Sequence, residues 1–399
     1  MKNRVYINYI YIVYQYFNTM LKEYFTKNLP VLPGLFLLFI IASCTKDTMN
    51  SNSTSTNNNT VTIIPTATPV KLGLIEVDTA IYKLLFMDVS KIGTQTVNYD
   101  MIFDTGSGGM VIDANGIIPA SMITSTGFNF TGDSTIVNGI TITSQTSLIE
   151  YGDDASTLTK VYGNLAYAPV TIGEPDGNVV IKRLPFFLYY KGVDAKGKVQ
   201  EAHYFDVLGV SPEYDVTFPN NAYITSPLSY YDPGTGLTRG FKMAALGTSN
   251  FSVGGTYVPG AITLGLTSGD LSSAGFVMQQ LYFTAADGYL TASPGTVTYN
   301  GKLVSTPVIF DTGTEPYSYI EDKTAASGSS VLLANNSSVS IATTSGFNFA
   351  YTTTAADYLT YVENPGSSTN NISIFGMEFF LKNSYLLDYT DHKLGVKNN

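Results

Sequence analysis

An all-β chain folded as two related lobes about a common cleft is the architecture this sequence predicts. Three observations point to it. The phrase Ile102-Phe103-Asp104-Thr105-Gly106-Ser107 returns much later as Ile309-Phe310-Asp311-Thr312-Gly313-Thr314. From Leu72 onward, short runs of β-branched and aromatic residues alternate with Gly, Asn, Asp and Pro turns. Few stretches carry a long helical period, and charged residues make up only 13% of the chain. A single Asp-Thr-Gly is an ordinary turn tripeptide. Two copies with matched apolar flanks suggest duplication, each lobe delivering one carboxylate from the end of a buried strand.

The elements follow in chain order. Residues 1–43 read as a secretory signal, with Lys22 and Lys27 ahead of an apolar run from Leu35 to Ser43. Met20 offers a more conventional start than Met1. Ile41-Ala42-Ser43-Cys44 resembles the lipobox of bacterial lipoproteins, which implies Cys44 as the lipidated N-terminus after cleavage. The alternative is a short membrane anchor with an incidental cysteine, although the run is short for a full span. Residues 44–70 are rich in Ser, Thr and Asn and cannot bury a core, so they read as a flexible tether. Residues 71–258 are then expected to form the N-terminal lobe and 259–399 the C-terminal lobe.

Within the lobes, Leu84 to Val89 and Leu184 to Tyr190 read as strands, and Asn138-Gly139 between apolar residues signals a hairpin turn. Each lobe also has a later apolar run ending in glycine, Phe205 to Gly209 and Ile372 to Gly376. A glycine at a strand end lets another backbone segment pass very close. In both halves it comes after the Asp, which again supports duplication.

Composition removes several function classes. The chain of 399 residues is 44% hydrophobic, enough for one large or two medium domains. Its formal charge of −10, with no basic run, argues against nucleic-acid binding. The single cysteine excludes an internal disulfide framework and a multi-thiolate metal site. His203 and His392 are too few and too isolated for a zinc site and read as surface or packing residues. Neither a phosphate-cradling glycine loop nor a nucleophile elbow is present. No metal or cofactor is expected.

The paired phrases, FDTGSGG and FDTGTEP, resemble the active-site motifs of the pepsin-like aspartic peptidases. The similarity runs from about Leu72 to Val396 and includes the closing stretch FGMEFFLKNSYLLDYTDHKLGV. EYGDDASTLTKVYGNLAYAPVTIG is similar to the family's flap hairpin, with Tyr151-Gly152 at the flap tyrosine and Gly163 to Gly173 as the returning strand. There are departures. The tryptophan that usually supports the flap tyrosine is missing, and Val111 stands in the matching place. Asp153-Asp154 occupies the flap tip where glycine is expected, and Glu315 follows the second motif where a small hydroxyl residue is common. The basic inhibitory pro-segment of secreted members is also lacking.

The resemblance implies a bilobal acid-protease fold and an Asp104/Asp311 dyad that activates a water to hydrolyse peptide bonds. Two close carboxylates hold one proton between them over the acid range. Thr105 and Thr312 would cross-link the two loops, and Gly106 and Gly313 would let backbone N–H groups approach the carboxylates. Ser107 and Thr314 would donate to the outer oxygens. Tyr151 and Gly152 would close over the substrate, while Glu315, expected at an exposed turn, would either shape a subsite or be a solvated turn acid. The resulting expectation is a monomeric, lipid-anchored aspartic endopeptidase of the bacterial envelope, at the outer membrane, acting on proteins or peptides. Its rival is a non-catalytic module of the same fold that binds or inhibits a partner at the cell surface.

Overall fold

The structure, a computed structural model, describes residues 67–79, 82–151, 158–173, 178–364 and 371–399. Strands dominate it, and the two α-helices among the described residues, Ser268–Ser272 and Met377–Phe380, are each little more than one turn. The apolar runs of the sequence are the buried strands: Phe103 is 0% exposed and Phe310 1%. Burying each such side chain contributes roughly 1.5–3 kcal/mol.

Both halves are built on one plan. In the first, the strand Gln95–Asp104 lies parallel to Val207–Val210, which in turn pairs antiparallel with Gly108–Asp113. In the second, Val308–Phe310 lies parallel to Ser373–Phe375, which touches Ser318–Glu321 in antiparallel fashion at Tyr319 and Ile374. Val207–Val210 in one half and Ser373–Phe375 in the other thus lead past the Asp-Thr-Gly turn. That passage is tight. A Cβ on Gly209 would lie 2.6 Å from the Ser107 carbonyl oxygen, and one on Gly376 would lie 2.3 Å from that of Thr314. The close approach expected at these strand-end glycines is thus present in both halves.

Among the described residues, the largest sheet has 14 strands and ties the first described strand into one sheet with the last. Val70–Asp78 pairs with Thr256–Leu266, which pairs with Thr238–Met243, and this last strand takes up Asn383–Asp388 from the far end of the chain. Val70 already belongs to the first strand, opposite Leu264, and the Ala67 N–H donates to the Thr235 carbonyl. The lobe junction expected at 258/259 lies within the strand Thr256–Leu266. The second half adds a four-stranded and a five-stranded sheet. Its core is aromatic, with Phe310 stacked on Phe379 at 3.8 Å.

The Asn138-Gly139 hairpin forms between Ser134–Val137 and Ile140–Tyr151, with both turn residues at positive φ (52° and 72°). Such a pair of left-handed residues suits the twist of a tight hairpin. Ile140–Tyr151 then returns as Thr159–Ile172, closing the longer hairpin that the flap resemblance implied, with Tyr151 opposite Thr159.

Candidate active site

The two Asp-Thr-Gly turns meet across the cleft, and glycine is the reason they can. A Cβ on Gly106 would lie 2.4 Å from the carboxyl carbon of Asp311. One on Gly313 would lie 2.7 Å from Asp104 Oδ1. Each turn thus leaves room for the other's carboxylate. Both acids are buried, Asp104 at 0% exposure and Asp311 at 3%. Their inner oxygens accept from the backbone: the Gly106 N–H donates to Asp104 Oδ1 at 2.8 Å and the Gly313 N–H to Asp311 Oδ1 at 2.7 Å. The outer oxygens accept from hydroxyls, Ser107 Oγ on Asp104 Oδ2 and Thr314 Oγ1 on Asp311 Oδ2.

Beneath the carboxylates the two threonines lock the turns together. Thr105 Oγ1 donates to the Phe310 carbonyl at 3.0 Å and accepts from the Thr312 N–H at 3.0 Å. Thr312 Oγ1 donates to the Phe103 carbonyl at 2.7 Å and accepts from the Thr105 N–H at 3.0 Å. Both side chains are fully buried.

The electrostatics split the pair. Burial first, and then the neighbouring charge of Asp104, push the Asp311 carboxyl well above the usual carboxylate range; its hydrogen bonds from Thr314 and Gly313 oppose the shift but are outweighed. The pair therefore holds one proton between its carboxylates, and burial beside a like charge favours that proton on Asp311. A third acid stands close by. Asp215 Oδ2 accepts from the Gly108 N–H at 2.7 Å, and burial first, then Glu213 and Asp104, raise its carboxyl well above the ordinary value. Glu213 bridges the halves, its Oε1 accepting from both the N–H and the hydroxyl of Thr291. Sequence reasoning missed both acids; the available signal was a Glu-x-Asp pair a few residues beyond the glycine-ended strand at Gly209.

Tyr151 ends the hairpin strand and is only 3% exposed, with its ring stacked on Phe205 at 6.0 Å. Val111, in the place expected for a tryptophan, belongs to the same apolar cluster as Tyr151, Phe187, Tyr189 and Phe205. Tyr151 is thus packed among aromatic rings without an indole. Burial chiefly, then the nearby carboxylates of Asp215, Asp104 and Asp206, raise the Tyr151 phenol well above its ordinary pKa. Gly152, Asp153-Asp154 and Cys44 lie outside the described residues.

Glu315 requires a correction, because it is buried at 8% exposure and does not sit at an exposed turn. The backbone N–H groups of Lys83 and Met377 donate to its carboxylate. Burial first, then the Glu378 carboxylate, push it well above the ordinary Glu value, so in mild acid it stays neutral. Lys83 pairs with Glu378 at 3.0 Å. Glu315 therefore anchors the second turn against distant backbone and adds no charge to the cleft. His203 is a packing residue, bound to Asp206 Oδ2 at 2.7 Å and to the Asn115 carbonyl at 2.8 Å.

The threonine lock yields a direct test. Thr312→Val keeps the shape but leaves the Thr105 N–H and the Phe103 carbonyl without their partner. At about 1–3 kcal/mol for each orphaned buried group, thermal unfolding should move down by several degrees. Thr312→Ser should keep most of the lost stability. Equal melting temperatures in wild type and Thr312→Val would mean that the lock carries no load.

No family model matches the chain. No curated protein matches it either. Solved structures do. An aspartic proteinase from Irpex lacteus is 17% identical, with a TM-score of 0.53 over 84% of this chain and 97% of that one. Basic 7S globulin from soybean is 12% identical, with a TM-score of 0.50 over 84% of this chain and 95% of that one. At such identities the likeness speaks to the backbone alone, and the chain has the two-lobed, pepsin-like aspartic proteinase fold.

Proposed function

We propose that the protein is an aspartic endopeptidase that hydrolyses peptide bonds of proteins or peptides in the cleft between its lobes. The observation that carries this reading is the meeting of Asp104 and Asp311, each seated against the other lobe's glycine. A water held between them would lose a proton to the ionised Asp104 as its oxygen adds to the peptide carbonyl carbon. Asp311 would pass its proton to the carbonyl oxygen, giving a neutral gem-diol. Collapse of the diol returns a proton to Asp311, and Asp104 delivers its proton to the departing amine. No covalent enzyme intermediate forms. The fold itself does not compel this chemistry, since one neighbour is named a proteinase and the other a globulin.

Anchoring through a lipidated Cys44 is part of the same proposal, and it rests on the Ile41-Ala42-Ser43-Cys44 phrase and the polar stretch after it. The protein would then work at the bacterial envelope, tethered to the outer membrane. Cys44→Ser should stall processing or release the protein from the membrane fraction. A mature wild-type N-terminus without diacylglyceryl-cysteine would refute this.

For the dyad, Asp104→Asn and Asp311→Asn should each abolish cleavage of a mixed peptide library, a loss of at least about 10⁴-fold, with melting behaviour retained. Substantial turnover by both variants would exclude the mechanism. A wild type that cleaves nothing yet holds a partner tightly would instead identify a binding module.

The pH dependence has a definite sign. Activity requires the proton on Asp311, so it falls as pH rises through the pair's upper titration, and the peak should lie on the acid side of neutrality. Thr314 donates to Asp311 and lowers its pKa. Thr314→Ala removes that donor and should move the upper limit to higher pH by roughly one unit. An unmoved or lowered limit in the pH–rate profile would show that this hydroxyl does not set the titration.

A further inference from the structure

A cavity of about 500 Å³ opens at the seam between the halves, away from the dyad. Its walls come from four distant stretches: residues 212–230, Arg239, Tyr289, and the turn after Asn383–Asp388. Neither Asp104 nor Asp311 lines it.

Aromatic faces dominate these walls. Tyr214 and Tyr223 stack at 3.7 Å, and Tyr289 and His392 stack at 3.5 Å. Tyr223 and Tyr230 stand at the mouth with 40% and 37% of their surface exposed. The phenol oxygens converge as well. Burial first, then the phenols of Tyr223, Tyr289 and Tyr230, raise the Tyr214 hydroxyl, and Tyr230 is pushed up to about 12 by burial and by Tyr223. The Tyr214 and Tyr223 hydroxyls are hydrogen-bonded to each other, and Tyr230 keeps its proton near neutrality and can donate. Tyr389 is already committed to the fold, its hydroxyl donating to the Val210 carbonyl at 2.7 Å.

Two further polar atoms belong to this lining. Thr225 Oγ1 and His392 Nδ1 are hidden from solvent, yet neither has a hydrogen-bond partner among the described residues. Burial lowers the His392 pKa and so favours the neutral ring, whose Nδ1 accepts or donates according to tautomer. Leaving either buried atom unpaired is unfavourable, so a ligand that pairs it is favoured. Arg239 is exposed at the same cavity and makes no ion pair among the described residues.

We propose that this cavity binds a saccharide of one or two rings, with a carboxylated sugar favoured at the Arg239 side. A purely apolar guest would bury the converging hydroxyls and leave Thr225 and His392 unpaired. A small inorganic anion would leave the ring faces unused. A sugar ring offers C–H faces to stack on tyrosine and hydroxyls to satisfy the polar atoms, and the cavity volume suits a small-molecule site. The site shares no lining residue with the dyad, so sugar binding and peptide cleavage are read independently.

Calorimetric titration of the whole chain with cellobiose, chitobiose, maltose and digalacturonate tests this. At least one disaccharide should saturate, and Tyr230→Ala, a change at an exposed position, should weaken it about tenfold. Thr225→Val, nearly isosteric, should weaken all bound sugars, whereas Arg239→Gln should weaken digalacturonate alone. No binding by any of the four, or equal binding in wild type, Tyr230→Ala and Thr225→Val, would overturn the proposal.

Discussion

Four hydrogen bonds exchanged by Thr105 and Thr312 hold the two Asp-Thr-Gly turns in register, and the geometry above them follows from that lock. Each threonine hydroxyl gives its proton to a carbonyl of the opposite half and receives the other threonine's N–H. Backbone on both sides is thereby satisfied without water, in a place where an unpaired group would be costly. A rigid joint at this level sets the separation of the carboxylates one layer up. Thr and Ser can play this part because each is both donor and acceptor; a valine of the same shape is neither.

Above the lock, the difficulty is charge. Two buried acids facing one another are unfavourable unless donors surround them or a proton neutralises one. Both remedies are present. Backbone N–H and hydroxyl groups supply four donors, two to each carboxylate. Burial and the charge on Asp104 raise the Asp311 carboxyl and favour a proton there. The asymmetry that the proposed chemistry requires, one base and one acid, thus arises in a nearly symmetric frame. Asp215 and the neutral Glu315 lie close to the two turns, so the cleft contains more carboxyl groups than its charge at mild acid would suggest.

Much of this was legible from local pattern. The repeated phrase located both turns, the Asn138-Gly139 pair located a hairpin, and the strand-end glycines Gly209 and Gly376 marked two close backbone passages. Each is a short-range signal with a steric reason behind it. What stayed hidden depends on partners remote in sequence. Glu315 looked like a solvated turn acid because its donors, the N–H groups of Lys83 and Met377, come from stretches not adjacent to it in sequence. Val111 gave no hint that it would share an apolar cluster with Tyr151, Phe187 and Phe205. The tyrosine-lined cavity draws on four separated stretches and has no motif. The extended shared sheet was likewise invisible, since nothing near Asn383 announces a partner at Thr238–Met243.

The central claim is that Asp104 and Asp311 share one proton, carried by Asp311. Infrared difference spectroscopy of wild type against Asp311→Asn, recorded from acid to neutral pH, addresses it without any need for substrate. The expected result is loss, in the variant, of a protonated carboxyl band that persists in the wild type well above the ordinary aspartate range. Loss of an ionised carboxylate band alone, at every pH, would show Asp311 deprotonated and would contradict the shared-proton dyad.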